Sequence, residues 1–161
     1  MLTALCGFLV ALFVGTLVEY WGHRMMHGFL LRKRHARHHQ DGAGQGWAGE
    51  FKDYFLGSLP VLWVGFLVSV EFGSGFLAGG VLYAMFAAYC HELQHARPEL
   101  CFWLPRPVHH LHHYHHMWKH NFGISFDVWD RVFGTYKRVE WAPQKRPFQY
   151  PLRNYLQIKW F

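Results

Sequence analysis

Residues 91–120 read HELQHARPELCFWLPRPVHHLHHYHHMWKH and hold nine of the fourteen histidines of the chain. A packed core has no use for so many imidazoles together, because each buried ring brings two nitrogens that must find partners. A metal ion is the economical partner. His91 and His95 stand four residues apart, so a helix presents both from one face, and the later run contains the pattern His-x-x-His-His twice. One copy is His109, His112 and His113; the other is His112, His115 and His116. The same two spacings occur upstream, in His23 with His27 and in His35 with His38 and His39.

Around this cluster the chain of 161 residues has the length of one domain, residues 1–161, and is rich in apolar and aromatic residues, at 52% and 19%. The formal charge of +6 raises the question of nucleic acid, but the placement of the charges argues against it. All sixteen Lys and Arg fall within residues 24–52 and 97–159, leaving three apolar stretches free of them. Cys6, Cys90 and Cys101 show no paired spacing and read as small hydrophobes.

The first apolar stretch, residues 2–19, rises ~27 Å as a helix and matches the hydrocarbon core of a bilayer. No basic segment precedes it, which disfavours a cleaved signal peptide. Glu19, His23 and His27 continue it as a polar stripe, which puts Glu19 one turn below a metal and makes it a candidate to orient a ligand. Residues 54–70 and 76–90 are two further uncharged runs, ~26 Å and ~23 Å as helices, with a tight turn expected at residues 71–75. Pro60 is expected to kink the middle helix or to sit near its start. A buried hairpin in a soluble protein is the competing reading of these runs. With every Lys and Arg after the first or third span, the positive-inside rule puts both histidine blocks on the cytoplasmic side. The expectation is an all-α, multi-pass integral-membrane helical bundle with a cytoplasmic histidine-rich di-metal cap.

Beyond His120, the aromatic residues Trp129, Phe133, Tyr136 and Trp141 suit packing against the bundle or a headgroup boundary. Asp127 and Asp130 are candidates to accept the free N–H of metal-bound imidazoles. His91-Glu92-Leu93-Gln94-His95 is also a literal HExxH, the motif of zinc proteases, with Glu92 as general base. That reading leaves most of the patterned histidines unused, so Glu92 is expected instead to orient an imidazole. His23, His27, His35, His38, His39, His91, His95 and one final triplet make ten imidazoles, about five for each of two ions. Imidazole suits iron, zinc and copper alike; the absence of thiolate spacing argues against an iron–sulfur centre, and the count exceeds what a haem takes. A metal-storing membrane protein without catalysis satisfies the same count.

The spacings HxxxH, HxxHH, HxxxH and HxxHH, as His23/His27, His35/His38/His39, His91/His95 and a final triplet, resemble the histidine boxes of the integral-membrane fatty acid hydroxylase and sterol desaturase superfamily. NFGIS at residues 121–125 and WDRVFGTY at residues 129–136 look like the segment that follows the last box there, and the similarity covers about residues 19–141. Short carotenoid hydroxylases of that superfamily share Met26-His27-Gly28 after the first box but are less similar in the carboxy-terminal part.

The resemblance implies a membrane enzyme with two iron ions, zinc being able to replace them in purified protein, and O2 as co-substrate. The reaction it implies is oxidation of a lipid C–H bond, hydroxylation in preference to desaturation. The lipid is expected to reach the site from the bilayer, between the first and third apolar helices. Electrons would come from a ferredoxin or a b-type cytochrome docked on the basic cytoplasmic face. Members of the superfamily commonly have four crossings, so three leave room for a homo-oligomer or a partner subunit to complete the bundle.

Overall fold

In the computed structural model, which describes residues 1–142, the opening apolar run continues without a break into the first histidine pair as one helix, α1 (Leu2–Gly28). Its end is set by Phe29 and Leu30, whose N–H groups both reach Met25 O at 3.1 Å, and by Leu31 in the left-handed region at φ 52°. That turn launches α2 (Arg32–Asp41), which carries the second histidine group. Then follow α3 (Trp47–Leu62), a 3₁₀ segment (Trp63–Leu67), α4 (Val70–Ala96), a 3₁₀ turn (Pro98–Leu100), α5 (Val108–Tyr114) and α6 (Val128–Val132). The described residues contain no strand.

The expected turn at residues 71–75 is not there. Those residues form the first turns of α4, and the chain reverses just before them, where Ser69 caps the helix by accepting the N–H of Phe72 on its hydroxyl at 3.1 Å. Glycine costs a helix stability in water, which is why Gly73-Ser74-Gly75 reads as a turn. Here the missing side chains serve packing. A Cβ on Gly75 would lie 1.9 Å from Ala4 O, one on Gly79 2.4 Å from Phe8 O, and one on Gly7 2.2 Å from Phe72 O. The α1 and α4 backbones therefore meet directly, the small-residue packing of helices in membranes.

Pro60 is also displaced from expectation. It stands near the carboxy-terminal end of α3, three residues before the helix tightens into the 3₁₀ segment. Among the described residues two helices, α1 and α4, are long and apolar enough to cross a bilayer; α3 with its 3₁₀ extension runs back beside α4 as a shorter third element. A small core of Ala11, Leu62 and Phe76 joins the three. Outside it, Leu5, Leu9, Phe13, Trp63, Leu67 and Leu82 are exposed, an apolar girdle suited to lipid.

α1 and α4 end in histidines at the same end of the bundle, where α3 begins and α2 and α5 lie across the top. The basic, proline-containing tail after Ala142 lies outside the described residues.

Candidate metal centre

Two groups of imidazoles form within this cap. His23, His27, His35, His39 and His112 bring one ring nitrogen each to within 4.8 Å of one another, and so do His38, His91, His95 and His109. In the first group, Nε2 to Nε2 separations are 3.2 Å for His23 and His27, 2.8 Å for His27 and His35, and 3.2 Å for His35 and His39. His112 Nε2 stands 2.9 Å from that of His27 and 3.1 Å from that of His39. Ligand nitrogens ~2.1 Å from a common ion are about 3.0 Å apart when they subtend a right angle, so these separations suit the edges of a coordination polyhedron.

The protonation pattern supports this. His23 Nδ1 lies 2.6 Å from Phe122 O, and His112 Nδ1 lies 2.6 Å from His120 O. A carbonyl only accepts, so each Nδ1 carries the proton and each Nε2 presents a lone pair to the group's centre. Facing lone pairs repel unless a cation lies between them. Burial, and after it the charge of neighbouring imidazoles, holds His35 down to about 2, His38 to about 4 and His39 to about 4, so these rings are neutral, as ligands must be.

The second group is close-set as well. His109 and His95 approach to 3.3 Å through Nε2, and His38 Nε2 is buried with no hydrogen-bond partner. His113 stands between the groups, its ring 3.9 Å from that of His39 and 4.5 Å from that of His95, with both nitrogens buried and unpaired. Nine imidazoles in two groups and a tenth between them fit two metal ions, and the all-nitrogen donor set is one that iron, zinc or copper accepts.

His115 and His116 are not part of either group. α5 ends at Tyr114 and His116 takes φ 50°, so the spacing that would align them with His112 runs past the end of the helix, and both are exposed. Within the intact turn of α5, His109 goes to one group, His112 to the other and His113 between them.

The carboxylates expected to orient ligands do other work. Glu19 accepts from Tyr83 OH at 2.9 Å, from the backbone N–H of Ile124 at 2.9 Å and Ser125 at 2.8 Å, and from the Ser125 hydroxyl at 2.6 Å. It pins the loop at residues 121–125 to α1 and α4. Asp130 is fully buried and accepts from Phe122 N at 2.8 Å, Gly123 N at 2.7 Å and the Thr135 hydroxyl at 2.6 Å, so it acts on His23 only through the backbone. Asp127 pairs with Arg131 on the surface. Glu92 accepts the N–H of Gly46 at 3.0 Å and holds the loop between α2 and α3. In a zinc protease the same carboxylate would have to be aimed at a water, whereas here it anchors backbone.

Groups that do face imidazole Nδ1 atoms include Glu50, 3.1 Å from His91, and the carbonyls of Phe122, His120 and Gly42, the last 3.3 Å from His95. A carbonyl leaves no mark in a sequence. Glu50 does, as an acid just ahead of an apolar run, and Gln94 within the HExxH stretch does too: its carbonyl accepts His109 N at 2.9 Å and so seats the first turn of α5.

Beside the centre lies a cavity of about 540 Å³ between α1 and α3, with α4 as its back wall. Ala11, Val14, Leu62 and Phe76 line its apolar depth, and His23, His35, His38, His91 and His109 line the other end. The seam expected to admit a lipid, between the first and third apolar helices, is closed by the contact of α1 and α4 at Gly75 and Gly79.

The sequence profile of the fatty acid hydroxylase family matches residues 8–135, well over half of the chain. No curated protein and no solved structure matches it. Both histidine groups and the loop that orients them fall inside the matched region, and the chain belongs to the fatty acid hydroxylase family, within the fatty acid hydroxylase and sterol desaturase superfamily.

Proposed function

We propose that the chain is an O2-dependent lipid hydroxylase whose two histidine groups hold two iron ions. The observation that carries this reading is the cavity: its apolar depth ends on five of the grouped histidines, so a hydrocarbon chain placed there presents its C–H bonds to the centre. Bound iron would supply the oxidising power that an unactivated C–H bond demands. The balance is one C–H bond, O2, two electrons and two protons giving one C–OH group and one water. The chain's own residues do the rest. Ala11, Val14, Leu62 and Phe76 keep water from the hydrocarbon, Glu50 and the three carbonyls fix the tautomers of the imidazoles, and Asp130 and Glu19 hold the loop that carries one of those carbonyls.

No residue of this chain carries electrons, so a ferredoxin or b-type cytochrome must deliver them. Arg32, Lys33 and Arg37 on the outer face of α2 are exposed and give an acidic carrier a basic landing surface next to the centre. In this reading α1 and α4 span the membrane with the cap in the cytoplasm, and the substrate passes from the bilayer between α1 and α3. Lipid profiling of cells with and without the chain tests the function. A lipid one oxygen atom heavier, absent with His112→Ala, is expected; an unchanged lipid profile beside metal bound to the protein would favour storage.

A further inference from the structure

The cavity is asymmetric in a way that hydroxylation alone does not require. Its histidine end also carries Arg34, Gln45 and Asp53, which pair with one another. Arg34 Nη2 donates to Asp53 Oδ2 and lies 3.4 Å from Gln45 Oε1, and Gln45 Nε2 donates to Asp53 Oδ2 at 3.0 Å. This cluster adjoins the metal centre by contact, because Gln45 N donates at 2.9 Å to the same Glu50 Oε1 that faces His91 Nδ1. The opposite end is lined by Ala11, Val14, Val61, Leu62 and Phe76, and the nearby Ser58 hydroxyl is spent on Phe55 O at 2.9 Å.

We propose that Arg34, Gln45 and Asp53 form a binding site for the polar end of a single-chain amphiphile, and that this end is an uncharged group that both donates and accepts hydrogen bonds, a hydroxyl or an amide. The proposal rests on the reading of the cavity as the substrate site. The polar end fixes the direction of the chain, tail toward Phe76, and it leaves the carbons next to the polar group against the histidines. The C–H bond hydroxylated, with the same balance of O2, electrons and protons from the external carrier, is then one close to the polar end.

Charge selects the end group. Two carboxylates lie at this end, Asp53 paired with Arg34 and Glu50 facing His91, and Lys52 Nζ stands 3.7 Å from Asp53 Oδ1. A free carboxylate would bring a third negative charge to an end whose two cations, Arg34 and Lys52, are already paired with Asp53. A hydroxyl or amide brings none. It can accept from the guanidinium, whose fork has five N–H donors, and donate to the carboxylate of Asp53.

The test is binding without turnover. Purified metal-loaded protein in detergent, at a pH where fatty acid is ionised, is given radiolabelled hexadecanamide and competed with hexadecan-1-ol, hexadecanoate or hexadecane. The amide and alcohol should compete about equally, and hexadecanoate and hexadecane about tenfold less well, the scale of one hydrogen bond to a charged group. Arg34→Gln and Asp53→Asn should each remove most of that preference while the metal content stays as in the unaltered protein. Hexadecanoate binding as tightly as the amide, or a preference that survives both substitutions, overturns the proposal. If the preference holds but no lipid gains oxygen, hydroxylation is wrong and the end-group site stands. If a lipid is hydroxylated at the far end of its chain, hydroxylation stands and the end-group site does not.

Discussion

At the scale of single residues the centre is a matter of tautomers. Each imidazole that passes its Nδ1 proton to a fixed acceptor turns its Nε2 lone pair inward, so the acceptors set metal affinity almost as much as the ligands do. Glu50→Gln should weaken the group of His38, His91, His95 and His109, and Asp130→Asn, which loosens the carbonyl of Phe122, should weaken the group of His23 and His112. Each is expected to lose metal to a chelator at roughly 10–100-fold lower competitor concentration, one ion at a time. Loss of both ions together, or of neither, would argue against separate acceptors for the two groups. The histidine pattern was legible in the sequence because one helical face repeats every three or four residues. The acceptors were not, since all but Glu50 are backbone carbonyls, and the register of the last box depended on where α5 stops.

The same residues set a pH dependence. In metal-free protein His38 and His39 titrate near 4 and His35 near 2, against about 6.5 in the unfolded chain. Between those values the unfolded state binds more protons, so the contribution of these three rings is whole above about pH 6.5 and falls as the pH drops toward 4. Thermal unfolding of chelator-treated protein in detergent should show a midpoint that declines as the pH is lowered from 6.5 toward 4. A midpoint that rises on acidification would contradict the burial of these rings as neutral groups.

At the scale of elements, the bundle depends on how closely α1 and α4 approach. Gly79→Val puts side-chain atoms into the backbone of Phe8 and should cost about 1–3 kcal/mol. Gly57→Ala, on α3 where an added Cβ meets nothing within 4 Å, should be neutral or gain up to about 1 kcal/mol. Unfolding midpoints in one detergent compare the two, and equal effects would mean that the α1–α4 seam is not close-packed. The apolar runs point to three spans, of which α1 and α4 are long and apolar enough to cross a bilayer. They did not say that glycines at residues 73–75 belong inside a helix, because the propensity that makes glycine a turn signal in water is outweighed by backbone contact in a membrane bundle.

At the scale of the molecule, all the histidines of the cap lie at one end of the bundle and the turn before α4 lies at the other. With Cys6, Cys90 and Cys101 replaced, Val68→Cys should react with an impermeant thiol reagent on intact cells, and Lys33→Cys only after permeabilisation. The reverse pattern would put the cap on the side away from a cytoplasmic electron carrier.

The most direct test of the whole account is the fate of oxygen. Purified protein loaded with iron, an electron-carrier protein with its reductase, and a lipid extract are exposed to isotopically heavy O2, and the lipids are weighed by mass spectrometry. One heavy oxygen atom should enter a lipid hydroxyl group, two electrons should be consumed for each one, and His39→Ala and His109→Ala, one from each group, should both abolish the incorporation. O2 left unconsumed by the iron-loaded, reduced protein while the lipids remain unlabelled would contradict it.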